Sequence, residues 1–145
     1  MANEATLRTR FSLPVNAQCN NADAFEKGQV LWLTDANKVS GSNAINVAFG
    51  GICASEKITN DGKTQVAVYR GKGNIFDAKI TSSVSGSKFV ARGQLLKISG
   101  LNTFAAISGG NLAEPLVENQ IASGFAGARA LEDASDGEVI LVELI

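Results

Sequence analysis

The sequence predicts an all-β protein, and three observations carry that expectation. Short extended runs alternate with glycine-bounded breaks, no long amphipathic helical stripe interrupts them, and the two halves of the chain echo each other. The expected body is a single compact β-barrel or β-sandwich domain over residues 22–145, with two internally similar halves as the further expectation and an extended N-terminal arm over residues 1–21.

Taken in order, the arm comes first. It is mixed and polar, and Pro14 pushes Leu13 toward an extended conformation. Thr6, Leu7, Arg8, Thr9, Arg10 and Phe11 are therefore the candidate contacts with another subunit or partner, because an extended segment can add itself to a neighbouring sheet. The alternative is a frayed terminus. Asp23 to Lys27 could form a short helix, and so could "LAEPLVENQ" at residues 112–120, where Pro115 suits a first turn and breaks anything longer. Strands are expected in "GQVLWLTD", "NAINVAFGG", "KTQVAVYR", "NIFDAKI", "KFVARGQLLKIS" and "GEVILVELI", each bounded by Gly, Asn, Asp or Ser. With 15 glycines against 2 prolines, the breaks read as tight turns.

Between two of these runs stands Gly71-Lys72-Gly73. It fails as a phosphate-cradling loop, since one residue separates the glycines and no Ser or Thr follows the lysine. A hairpin bend is the expected reading, because Val66 and Val68 before it and Phe76, Ala78 and Ile80 after it keep a strand period. The last run, Val139 to Ile145, is apolar at both parities for most of its length, so both of its faces are expected under protein.

The internal echo is specific in its order. "GQVLWLTDANKV" at 28–39 matches "GQLLKISGLNTF" at 93–104, and "GGICASEKITNDGKTQVAVY" at 50–69 matches "AGARALEDASDGEVILVEL" at 126–144. Each half has a Gly-Gln strand, then Gly, Ala and Glu, then Asp-Gly and a Val-rich strand. Two copies are too few for a solenoid, so they are expected to pack as one body; chance recurrence of Gly and Val patterns is the competing reading.

Composition excludes several functions. The formal charge is -1, from 13 basic and 14 acidic residues well interleaved, which leaves no long basic surface for nucleic acid. No signal-like or bilayer-length apolar stretch occurs, so a soluble protein made in the cytoplasm, with no membrane partner, is expected. Histidine is absent, which removes the commonest general base and metal ligand. Cys19 and Cys53 lack metal or redox spacing and read as buried core thiols. "EDASDGE" lacks the alternate oxygen ligands of a calcium loop and reads as a polar turn. No enzymatic role, catalytic residue, cofactor or metal is expected.

The runs "FEKGQVLWLTD", "FGGICASEKITNDGKTQVAVYRGKGNIFD" and "ARALEDASDGEVILVELI" together resemble the small capsid decoration, or cement, proteins of tailed bacteriophages, over about residues 25 to 145. The resemblance implies an all-β body on the outer surface of a phage head, a homotrimer bridging neighbouring copies of the major capsid protein, and no catalytic residue. Its alternatives are another virion or tail-associated structural β module, and a small-ligand-binding β-barrel with a roomy interior.

Overall fold

The computed structural model describes residues 3–41, 47–81, 89–107 and 126–145. All of its regular structure is β. After β1 (Thr6–Thr9), five strands, β2 (Val15–Gln18), β3 (Val30–Asp35), β4 (Lys38–Gly41), β5 (Phe49–Cys53) and β6 (Gln65–Tyr69), close into a barrel in the order β2-β4-β3-β5-β6. The chain then builds β7 (Ile75–Ile80), β8 (Phe89–Val90), β9 (Leu95–Gly100), β10 (Thr103–Ala106), β11 (Ala128–Ala130), β12 (Ala134–Ser135) and β13 (Val139–Leu144). Here the order is β7-β10-β9-β11-β13, and the pairing of β13 with β7 closes a second ring. So the halves do not share one barrel: each makes its own.

The registers show that the two barrels are the same structure twice. Ala17 faces Val66 as Ala78 faces Ile140, Leu33 faces Val39 as Ile98 faces Phe104, and Cys53 faces Val68 as Ala130 faces Val142. The single parallel contact of each ring also repeats, with Gln18 opposite Lys38 and Lys79 opposite Thr103. A small ladder accompanies each barrel: Phe25 bridges Lys57, and Val90 pairs Ala134.

Local chemistry explains the repeated Gly-Gln. Gly28 and Gly93 sit at φ 89° and 85°, a left-handed conformation that glycine enters without a Cβ penalty. The following glutamine then turns its side chain back on the same corner. Gln29 Oε1 accepts from Glu26 N and Gln94 Oε1 accepts from Ala91 N, both at 3.1 Å. The backbone N–H groups of Gly28 and Gly93 donate across to the carbonyls of Cys53 and Ala130. Each corner is thereby tied to the fourth strand of its ring.

Each interior is filled. In the first barrel Ala17, Cys19, Phe25, Leu31, Val39, Cys53, Val66 and Val68 form one buried cluster. The second barrel's cluster contains Phe76, Ala78, Ile80, Leu96, Ile98, Phe104, Ala130, Ile140, Val142 and Leu144, and also Val30, Phe49 and Ile52 of the first barrel. Val30 and Ile52 lie on the outward parity of β3 and β5, since their neighbours Leu31 and Cys53 point inward. The first barrel therefore lays part of its outer wall on the second. Phe49 tilts against Phe104 at 6.2 Å, Tyr69 meets Phe76 edge-on at 5.6 Å, and Val30 N donates to Asn102 Oδ1 at 2.9 Å.

Four expectations are corrected by this arrangement. Gly71-Lys72-Gly73 is no hairpin, because β6 pairs with β2 and β5 while β7 pairs with β1, β10 and β13; the bend is the crossing from one barrel to the other. Asp23 to Lys27 is not helical, because the Asp23 carboxylate closes a turn on Asn20 N and Phe25 joins the ladder to Lys57. The boundary expected at residue 21 is not one: β1 pairs with β7, and β2 closes the first barrel. The last strand is fully covered on one face only, with Ile140, Val142 and Leu144 buried, whereas on the other Leu141 and Glu143 are half-buried and Val139 is 61% exposed. A barrel fills its inside, and outward residues are buried only where a neighbour lies on them. The second short helix expected, at 112–120, lies outside the described residues.

Candidate interaction surface

The segment singled out by sequence runs along the second barrel and then over the crossing. β1 pairs antiparallel with the first half of β7, with Thr6 opposite Asp77, Leu7 opposite Phe76 and Thr9 opposite Ile75. Among the described residues β1 pairs with β7 alone, which makes it the edge strand of its sheet. Leu7 is half-buried against the core, while Thr6, Arg8, Thr9 and Arg10 are exposed. Arg8 reaches back to Asp77 at 3.3 Å, a surface pair of small energetic weight.

Asn74 then fixes the path. Its side chain is fully buried; Oδ1 accepts from Phe11 N at 2.7 Å and Ser12 N at 3.1 Å, and Nδ2 donates to Ser12 Oγ and the Gly71 carbonyl. Gly73, at φ 92°, lies under the Phe11 ring, where any Cβ would meet it. The backbone is held, yet Phe11 is 75% exposed, Leu13 69% and Val15 47%. Three apolar side chains at alternate positions thus face solvent from a rigid support.

The sequence missed Val15 and Arg70, which share this region. Arg70 extends from the end of β6 across the mouth of the first barrel, where Nε donates to the Gly50 carbonyl at 2.9 Å and Nη1 to Asn37 Oδ1 at 2.8 Å. Burial lowers the pKa of its guanidinium. The signal that could have found both residues is the repeat itself, because Val15 aligns with buried Phe76 and Arg70 with buried Leu144.

Cys19 and Cys53 are free and buried; burial raises both thiols, Cys53 to about 11, so neither is a ready nucleophile at neutral pH. A shallow polar hollow between Asn16, Ser55, Lys63 and Gln65 opens widely to solvent. Among the described residues no group of His, Cys, Asp and Glu is placed to hold a metal ion. Gly62 and Gly137 take positive φ in the two Asp-Gly turns, so "EDASDGE" folds as a tight turn before β13. In comparison with known proteins, no family model and no curated protein matches the chain.

Proposed function

We propose that the protein is a structural decoration protein of a tailed-phage head, which binds the outer capsid surface as a trimer and bridges neighbouring major capsid proteins. The observation that carries this reading on the structural side is the edge strand β1 running into exposed Arg10 and Phe11 on a body whose barrels are otherwise closed. Among the described residues β1 is the end strand of the six-stranded sheet, so an extended segment of a capsid subunit would find its backbone partner there. The resemblance of residues 25–145 to cement proteins supports the same reading. Against the ligand-barrel alternative stand five-stranded rings whose interiors are filled by Leu31, Val39 and Val68 in one, and Leu96, Phe104 and Val142 in the other.

The test is cosedimentation with expanded capsids stripped of decoration protein. The wild-type chain is expected to pellet with capsids and raise their resistance to heat, and Arg10→Ala with Phe11→Ala is expected to weaken binding about tenfold while leaving the body folded. Point changes are preferable to deleting the segment, because deletion would strip the donors from buried Asn74. A wild-type chain that stays in the supernatant, or pellets with tails instead, refutes the capsid reading.

A further inference from the structure

At one end of the first barrel two turns meet around a single nitrogen. Asn21 and Asp23 follow β2, and Lys57 to Gly62 precede β6. Lys57 Nζ donates to the carbonyls of Asn21 and Asp23 at 2.9 Å each and to the Ile58 carbonyl at 3.4 Å, and it meets Asp61 Oδ1 at 3.2 Å. Four oxygens from two separate turns thus converge on one ammonium, and the side chain that carries it is 1% exposed.

Contacts that do not involve this ammonium hold the oxygens. Asn60 N donates to the Asn21 carbonyl at 2.9 Å and Gly62 N to Asn21 Oδ1 at 2.7 Å, which fastens one turn to the other. Asn20 N donates to Asp23 Oδ2 at 2.8 Å, and Lys63 N to Asp61 Oδ1 at 2.9 Å. The second barrel supplies a comparison. Ala134 faces Val90 there as Lys57 faces Phe25, and its Asp136-Gly137 follows after one residue instead of three. The longer turn, which provides the Ile58 carbonyl and places Asp61, occurs where the lysine does.

The donor set determines which cation fits. Backbone carbonyls can replace the hydration shell of a cation without adding charge, and one carboxylate balances one positive charge. Calcium takes about six to eight oxygens at about 2.3–2.6 Å; this cage offers four, 2.9 to 3.4 Å from its centre. We infer that the carbonyls of Asn21, Asp23 and Ile58 and the Asp61 carboxylate form a binding site for an ammonium-sized monovalent cation, which the chain fills with the side chain of Lys57. The ligand class is NH4+, K+ or a primary alkylammonium. Tethering keeps the site filled whatever ions the medium holds.

The experiment empties the site and refills it. Lys57→Ala removes the stem and ammonium that n-propylammonium carries, and its melting is followed in salts of equal ionic strength. In choline chloride, whose quaternary nitrogen has no N–H to donate, the variant is expected to melt below the wild type. n-Propylammonium chloride should raise its Tm along a saturating curve, by about 5–10 °C at about a hundred times the dissociation constant. n-Propanol, which fills the stem without the charge, should give no saturating rise. Adding Asp61→Asn should weaken the propylammonium response about tenfold, since a hydrogen bond to a charged group is lost. If Lys57→Ala does not fold in choline chloride, the same series is read as recovery of the circular dichroism of the folded chain. Melting or refolding that is the same in propylammonium, NH4Cl and KCl as in choline overturns the inference. So does a response that propanol reproduces, or one that Asp61→Asn leaves undiminished.

Discussion

At the scale of single residues, the two barrels differ most where Lys57 replaces the Ala134 of the second ladder. Its side chain is 1% exposed, and Nζ donates to the carbonyls of Asn21 and Asp23, both at 2.9 Å, and pairs with Asp61 Oδ1 at 3.2 Å. The ammonium holds inward-turned carbonyls that would otherwise be buried without a donor. Lys57→Met should therefore cost about 3–5 kcal/mol, the range for breaking a buried charge pair. At roughly 2–4 °C per kcal/mol, that is a fall of about ten degrees in Tm; a variant melting with the wild type would show the cage to be dispensable. Its partner gives a pH signature. Asp61 accepts from Lys63 N and pairs with Lys57, which holds its carboxyl below the ordinary value. A depressed pKa stabilises the fold above the unfolded-state value, about 3.9, and that contribution disappears as pH falls through the folded one. Wild-type Tm should thus lead Asp61→Asn at neutral pH and converge on it toward about pH 3. A gap that is constant across a pH series of melting curves would count against this linkage.

At the scale of elements, what could be read in the sequence was what is local. Gly-Gln marked both corners because a left-handed glycine and a glutamine folded onto Glu26 N or Ala91 N are properties of four neighbouring residues. The strand periods around Val66 and Phe76 were equally plain, and both runs bury the alternate residues expected. Which strand pairs with which is non-local. The crossing at Gly71–Gly73 read as a hairpin because two alternating runs flank it, and nothing local says that β7 prefers β13 to β6. The short, polar runs of β1 and β2 carried too little alternation to be joined to the body, although Asn74 and Gly28 bind the segment there. The twin corners also make a matched experiment. Gly28 and Gly93 have nearly the same φ, but a Cβ on Gly28 would strike the Ala5 carbonyl, whereas on Gly93 it would meet nothing within 4 Å. Gly93→Ala should cost about 1–2 kcal/mol, the left-handed penalty alone. Gly28→Ala should cost that plus the displacement of the N-terminal segment. Equal losses in chemical denaturation would mean that the segment is not seated on the corner.

At the scale of the whole molecule, the question is whether two similar barrels behave as two domains or one. The first barrel has an interior of its own, but the larger core runs through both, since Val30, Phe49 and Ile52 belong to the cluster of Phe76, Phe104 and Leu144. Removing the first barrel would expose the end of the second and leave buried Asn102 without its partner at Val30 N. The second barrel therefore depends on the first for its closure, and the two should unfold together in one transition. Trp32, the only tryptophan, is half-buried on the outer wall against the shared core, so its fluorescence reports the junction while circular dichroism reports all strands. The two signals should have the same midpoint in denaturant. Ile52→Ala, at a fully buried position in that wall, should lower it by about 2–5 kcal/mol of stability and move both signals equally. If tryptophan fluorescence changes first and the strand signal later, the barrels are separable units and the shared core is too weak to couple them.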